Sequence, residues 1–545
     1  MGRYVAIAVY ALGLLATSAA WGAYVEYQGP SGNLNVAGNW YVITDPGDPA
    51  SRTGETRLPV AGGAFGSFVR GDDAILRNGT TTTVNTSMES GQWSIGGPQI
   101  TGQATAPATT MYIPSGGTLS LSGDDPYDLL QLNVGGPYPA TLNVNGGDVN
   151  IHWYRGGNIN VGSGSGTTGT LNLSSGAIQV EVPFVNSSDL HIGHNGGTGV
   201  VNQSGGLISR PGQECEGSIW EGLGDGGILV GHGGYGEYNI SGGYARFADN
   251  LRIGTTYTAD DDTTTAGTGL LTVTGGTFQF GRKGWVGSSR GGIANVGHIR
   301  VLGGTFQSHK SVPENIEKGC SDLYIGVGES ETCLVNAVGK ITVHQDATVH
   351  TLGMIMGYDG GDTDSSQMEL KLAHAGNFDV IHTDWFAVNG TVEVSLVGGY
   401  TPAPGAEWMI GQMTHAAVPE STLYVSPTLV ITPGFHLEKR NTNLDLYLVC
   451  DGLQHPGDAN NDGAVNVGDL GILAGNWQQV TVLGKAWKEG DFTGDDVVNV
   501  GDLGVLAGAW GWTGTPVPPP PGQVPEPASL TLLALGALAM LRRRR

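Results

Sequence analysis

Apolar and polar residues alternate in short runs along most of this chain. In ATLNVNGG, Leu142 and Val144 alternate with Asn143 and Asn145; in GTLNLSSG, Leu171 and Leu173 do the same. A period of two over four to six residues predicts a strand with one buried face, and the glycine that ends each run predicts a tight corner. Three such phrases recur in a fixed order. The first is GGTLSLSG (116–123), GGDVNIHW (146–153), SGAIQVEV (175–182), GGLIS (205–209), GGYARF (242–247), GGTFQF (275–280) and GGTFQS (303–308). The second is LNVG at 132, INVG at 159, LHIG at 190, LVG at 229, LRIG at 251, WVG at 285 and LYIG at 323. The third, including GVVNQSGG, GEYNISGG and GLLTVTGG, runs straight into the first. Counted from Gly117, the unit length is 30, 29, 30, 37, 33 and 28 residues.

Strands this short cannot bury an apolar face alone, but stacked copies pair equivalent strands and share one interior. The expected fold is mainly β: a Gly-rich right-handed parallel β-helix, with another β-solenoid or a sandwich as the alternative. A propeller fits less well, since its blades usually carry four strands. The body resembles the Gly-rich β-helical passengers of autotransporter-like surface proteins. Its expected divisions are an N-terminal β cap over 24–110, the repeat over 111–390 and a closing β unit over 391–452, where the period breaks.

Composition narrows the function classes. Glycine makes up about 17% of the chain (93 of 545), against a usual ~7%. With 49 Asp+Glu against 25 Lys+Arg, the formal charge is −24. Such a surface repels nucleic acid and attracts divalent cations. Four cysteines, Cys215, Cys320, Cys333 and Cys450, are too few for a disulfide framework. Cys320 and Cys333 are near enough to pair in an oxidising compartment; separate buried thiols are the other reading.

Both ends read as addresses. Residues 1–23 combine Arg3, an apolar run from Val5 to Leu15 and small residues around Ser18 to Ala20, the form of a secretory signal peptide cleaved near Ala20 or Ala23. At the other end a Pro-rich linker (513–524) precedes Pro525, Glu526 and Pro527, an apolar stretch from Ala528 to Leu541 and four arginines. Fourteen apolar residues make about 21 Å of helix, short of a ~30 Å hydrocarbon core, although arginine snorkelling extends the reach. Segment 525–545 closely resembles the PEP-CTERM sorting signal of Gram-negative bacteria. The resemblance implies export, transient anchoring by a transmembrane helix, cleavage by an exosortase and delivery to the outer surface or extracellular matrix.

No catalytic constellation stands out. β-Helices host polysaccharide lyases and glycosidases, which need clustered carboxylates or basic residues on one face; the repeats carry mainly Ser, Thr, Asn and Gln. His194 and His232 follow the second phrase on successive units, and a side-chain ladder is the favoured reading over a metal or catalytic pair. Asp260, Asp261 and Asp262 read as a solvated loop, and His344, Asp346 and His350 as a loose cluster.

The sharpest chemistry lies near the C-terminus. DANNDGAVNVGD at 458–469 returns as DFTGDDVVNVGD at 491–502. Oxygen donors on alternate residues can wrap a calcium ion, which takes six to eight of them. The expected ligands are Asp458, Asn460, Asp462, the Ala464 carbonyl, Asn466 through water and Asp469; then Asp491, Thr493, Asp495, the Val497 carbonyl, Asn499 and Asp502. Proline in LQHPG forbids a helix before the first loop, but one should leave each loop, with Leu470, Leu473 and Trp477, then Leu503, Leu506 and Trp510, on one face. Residues 456–512 thus resemble a type I dockerin, an EF-hand-like module. The resemblance implies two calcium ions and a cohesin-like partner. Asp496 replaces Gly at position 6 of the second loop and Thr493 replaces a stronger ligand, so the second site should be weaker. The partner-facing pair, commonly Ser/Thr, is Val467-Gly468 and Val500-Gly501. Without calcium so small a core should be largely unfolded. The expectation is an exported, non-catalytic surface or matrix adhesion protein; the alternative is a secreted polysaccharide-degrading enzyme borne on a dockerin.

Overall fold

A computed structural model describes residues 24–514 except for internal segments, of which the longest are 45–51, 60–72, 96–106, 182–188, 211–226, 309–321, 328–337, 358–365 and 414–422. Residues 1–23 and 515–545 also lie outside it, and with them the expected signal peptide, the expected linker from 515 and the segment 525–545.

The three repeated phrases become three faces of a stacked coil. Strands of the second phrase, such as Leu190–His194, Ile228–His232 and Leu251–Thr255, pair in parallel within a 15-stranded sheet. Strands of the third phrase (Thr198–Gln203, Tyr235–Ile240, Thr268–Val273) stack on another face, and those of the first (Leu207–Arg210, Tyr244–Phe247, Thr277–Phe280) on the next. In Ala140–Trp153 and Thr168–Glu181 the two phrases run on without a break, which joins both faces into one 24-stranded sheet. Parallel neighbours need a crossover, and here the other two faces of each turn supply it. The body is a β-solenoid.

Its interior is a set of columns. Leu142, Leu171, Val201, Tyr238, Leu271, Ile299, Ile341 and Met368 are successive partners in register and all are buried. Truncating one of them, Leu271→Ala, costs about 2–5 kcal/mol because its neighbours above and below cannot close the gap. One column carries a buried amide, Gln203, which accepts a 2.6 Å hydrogen bond from the Tyr238 hydroxyl. On the outer surface the alternate residues form a ladder: Asn172 donates to Asn143 (2.9 Å), Asn202 to Asn172 (2.9 Å) and Asn239 to Asn202 (3.1 Å).

Corners depend on glycine. Gly193 adopts φ +66, and a Cβ there would stand 1.9 Å from the Tyr235 carbonyl oxygen of the next rung. Of the glycines counted from Gly117, the later five take positive φ, whereas at the first two it is the preceding Gly116 and Gly146 that do.

Parallel stacking extends past both expected bounds of 111–390. It begins with Tyr24–Tyr27 on Asp73–Leu76 and reaches Val430–Ile431 on Thr391–Leu396. Antiparallel strands close the ends: Trp40–Ile43 and Arg52–Thr56 at the start, Phe435–Arg440 and Asp445–Cys450 at the finish. Reversed strands stop further rungs from adding to an open edge. Cys450 is buried in the last strand; Cys215, Cys320 and Cys333 lie outside the described residues. Among the described residues no helix is long and apolar enough to cross a membrane; the apolar segment 528–541, expected to be one, is outside them.

Candidate functional site

After the solenoid the chain forms two loop–helix copies, with helices α1 (Val467–Gly475) and α2 (Val500–Ala509). Asn466 and Asn499 cap them, each side-chain oxygen accepting from the N–H two residues on at 2.7 Å. Asp469 and Asp502 complete a capping box in each copy. One carboxylate oxygen takes the cap residue's own N–H (2.9 and 2.8 Å), and the other reaches back to Ala459 and Thr493 (2.8 Å each). The copies also bond reciprocally. Gln478 N–H donates to the Val498 carbonyl (2.9 Å), and Gly511 N–H, 33 residues on, donates to the Val465 carbonyl (3.0 Å). That is a pseudo-two-fold arrangement.

The loop geometry suits a cation. Asp458 accepts from Asp462 and Gly463 N–H groups (3.1 and 2.9 Å), and Asp491 accepts from Gly494 and Asp496 (2.7 Å each). Position 6 turns in the left-handed region in both loops, Gly463 at φ +82 and Asp496 at φ +72. Asp491, Asp495 and Asp502 bring carboxylate oxygens within 4.8 Å of one another. Burial raises the Asp491 carboxyl, and with Asp502 and Asp495 beside it the group reaches about 7; burial raises Asp458 as well. Crowded carboxylates of this kind fit a hard divalent ion with oxygen ligands. Asn460 and Asp462 sit at the first loop's mouth, joined at 3.0 Å, and Asn499 bonds both Asp495 (2.9 Å) and the Val497 carbonyl (3.1 Å). Asn466 likewise lies 3.3 Å from the Ala464 carbonyl, so position 9 is engaged with the helix cap and loop rather than standing off. Thr493 bonds Asp491 at 3.3 Å.

Two expectations change. Trp477 and Trp510 fall beyond the helices and are 37% and 52% exposed, whereas Leu473 and Leu506 are buried. The tryptophan that fills the small core is Trp487 of the connecting segment, whose indole N–H donates to the Asp458 carbonyl (3.1 Å) and whose ring meets Phe492 edge-on at 5.1 Å. Its flanking sequence has no helical period to reveal it.

The module does not hang free. It sits on the outer face of the solenoid, over a charged group from four successive rungs. Lys340 lies 2.9 Å from Glu369 and 3.7 Å from Glu393; Thr342 and Ser395 also donate to Glu369 (3.0 and 2.7 Å). Onto this group the module lowers Asp496, which pairs with Arg300 and, at 2.9 Å, with Lys371. Lys371 also donates to the Gly494 carbonyl (2.7 Å), Lys488 pairs with Glu393 (2.7 Å) and His298 Nδ1 meets the Val482 carbonyl (2.7 Å). Burial would raise Glu369, but Lys340 and Lys371 hold it down to about 2. Burial lowers the His298 pKa well below its ordinary value. Sequence reasoning missed this cluster because its cross-rung partners lie 26 to 196 residues apart; Glu369 and Lys371, alternating with the core residues of one strand, were the local sign.

The remaining candidates sort as follows. His344 and Asp346 do gather, but with the exposed His374 (Asp346 to His374, 2.9 Å), while His350 packs on His382 with ring centres 4.8 Å apart. His194 and His232 do stand on adjacent rungs, joined by His191. Asp260, Asp261 and Asp262 lie outside the described residues.

Comparison with known families matches residues 523–545 to the PEP-CTERM protein-sorting motif. The chain carries a PEP-CTERM sorting signal. The match holds Pro525, Glu526 and Pro527, the apolar run and the terminal arginines. It marks an exported protein of a Gram-negative-type envelope, processed by an exosortase. No curated protein and no solved structure matches the chain.

Proposed function

We propose that this PEP-CTERM protein is a structural component of the cell surface or extracellular matrix: a shaft carrying a calcium-dependent, dockerin-like coupling module on its side. The shaft on this reading is a right-handed parallel β-helix, the hand that parallel crossover connections favour. The observation that carries the coupling role is the pair of loop–helix copies with matching bonds, the second gathering three carboxylates within 4.8 Å. Calcium organises both loops, more weakly in the second, where Thr493 is a poor ligand and the cations bound to Asp496 oppose a second positive charge. The partner is a cohesin-like protein that reads Val467 and Val500, equivalent positions left 73% and 75% exposed while the second copy is seated on the shaft. The Asn ladder and its Ser/Thr neighbours suit polysaccharide contact along the shaft. A polysaccharide-degrading role finds less support. Among the described residues the charged cluster on the shaft is buried beneath the module and its charges are paired with one another.

Calorimetric titration of the full chain tests the reading. Two calcium ions of unequal affinity are expected, with Asp458→Asn removing the tighter and Asp491→Asn the weaker. Absence of any calcium heat would end the proposal.

A further inference from the structure

A second group of ligating side chains lies on the other side of the molecule's chemistry, built of nitrogen rather than oxygen. In a straight strand residues three apart point to opposite faces. Between His191 and His194 stands Gly193 at φ +66, and the kink brings both rings to the outer face while Leu190 and Ile192 remain in the core. The register Leu190↔Ile228 then sets His232 beside His194 on the adjacent rung. One ligating nitrogen from each ring lies within 4.8 Å of the others.

The ring spacing is the decisive quantity. An imidazole nitrogen about 2.0–2.1 Å from zinc places its ring centre about 3.2 Å from the ion, so two rings at the tetrahedral angle stand about 5 Å apart. The three separations are 4.7, 5.2 and 4.9 Å. Nδ1 of His191 and Nδ1 of His232 are buried with no hydrogen-bond partner, which is costly for a polar atom without a ligand. The opposite nitrogen of His191, Nε2, faces Asp189 Oδ2 at 3.4 Å, and Asp189 is itself held by the Gly227 N–H (2.7 Å). His194 turns Nδ1 to Ser163 Oγ at 3.1 Å, leaving Nε2 for a ligand. Carboxylate and hydroxyl partners on the far nitrogen are what orient metal-binding imidazoles. Tyr257 packs against His194 and His232, with ring centres at 4.5 and 5.2 Å.

We infer that His191, His194 and His232 bind one zinc-type divalent ion on the outer face of the shaft. Nitrogen donors select such an ion over calcium, and three protein ligands leave a fourth position for water or an outside ligand. Because the ligands come from two rungs, the ion also staples them together.

The test uses the full chain, stripped of metal and kept in excess calcium so that the acidic loops do not compete. Equilibrium dialysis with zinc should give one ion per chain, and cobalt(II) should give the intense visible bands of a tetrahedral nitrogen site. His191→Ala and His232→Ala should each weaken uptake at least tenfold, and Asp189→Asn, which leaves all three rings in place, about tenfold. His350→Gln, in a histidine pair outside this group, should leave zinc uptake unchanged. Failure of the parent chain to take up zinc, or equal uptake by a His191→Ala/His194→Ala/His232→Ala variant, overturns the inference.

Discussion

The two loop–helix copies share their spacing, caps and reciprocal bonds, yet position 6 separates them. Gly463 makes its left-handed turn at no steric cost. Asp496 makes the same turn at φ +72, a conformation that costs a non-glycine residue on the order of 1 kcal/mol. That strain is offset because the carboxylate reaches Arg300 and Lys371 on the shaft. In the sequence Asp496 is a flaw in a calcium loop; in the structure it is the fastening. One copy's loop makes no contact of this kind, and the other's also holds the module down.

The largest effect should come from cutting that fastening. Asp496→Ala leaves Arg300 and Lys371 beneath the module without their carboxylate, and breaking one side of a buried ion pair costs about 3–5 kcal/mol. Hydrogen exchange should then quicken in Ser366–Leu372 and in the second loop together. A conservative reading, in which the pair is incidental, expects no change on the shaft. Lys371→Met combined with Asp496→Ala should recover part of the loss, since the more deeply buried of the two cations is then gone and only the part-exposed Arg300 lacks its carboxylate.

Acid should act next, and again on the second copy's seat. Glu369 is held down to about 2 from an ordinary 4.5. Its folded pKa is depressed, so its contribution is complete above 4.5 and is lost as pH falls from there toward 2. The loss is on the order of 2–3 kcal/mol. Denaturation in chelator at pH 5 and pH 3, in an Asp491→Asn background so that the raised Asp491 carboxyl does not titrate in the opposite sense, should show protection of α2 falling more than that of α1; equal changes would mean that Glu369 does not support the seat.

How far the sequence foretold this is uneven, for physical reasons. The three repeated phrases mapped onto three faces because period-two alternation and corner glycines are local constraints. The helix starts were legible for the same reason: each capping Asn and Asp bonds within ten residues of itself. The seat was not. Arg300, Lys340, Glu369 and Asp496 meet only after successive turns have stacked and the module has folded back, and no local pattern encodes that closure. The histidine group was half legible: His194 and His232 share a phrase position, but His191 joins them only through the turn at Gly193.

Calcium should divide the copies in the opposite sense. At about a hundred times its Kd an ion adds ~2.7 kcal/mol to whatever unfolds with its loop. On the proposed calcium reading the first copy relies on that contribution alone, whereas the second has the shaft as well. In chelator, exchange should therefore rise more across 458–475 than across 491–509, and the module should loosen from one side instead of unfolding as a unit. Uniform loss of protection in both would show that the seat gives no independent support.

The smallest effect is the most discriminating. Gly463→Asp recreates in the first loop the residue that the second loop already has. At φ +82 the new side chain meets the same backbone strain of about 1 kcal/mol, with no cation established to receive it. First-site affinity should fall about fivefold while the second site is untouched. The reciprocal change, Asp496→Gly, relieves strain of the same size yet should still loosen the module, because the lost pairing outweighs the relaxed turn. If both substitutions simply tracked backbone strain, Asp496→Gly would tighten the module, and the carboxylate would not be its fastening.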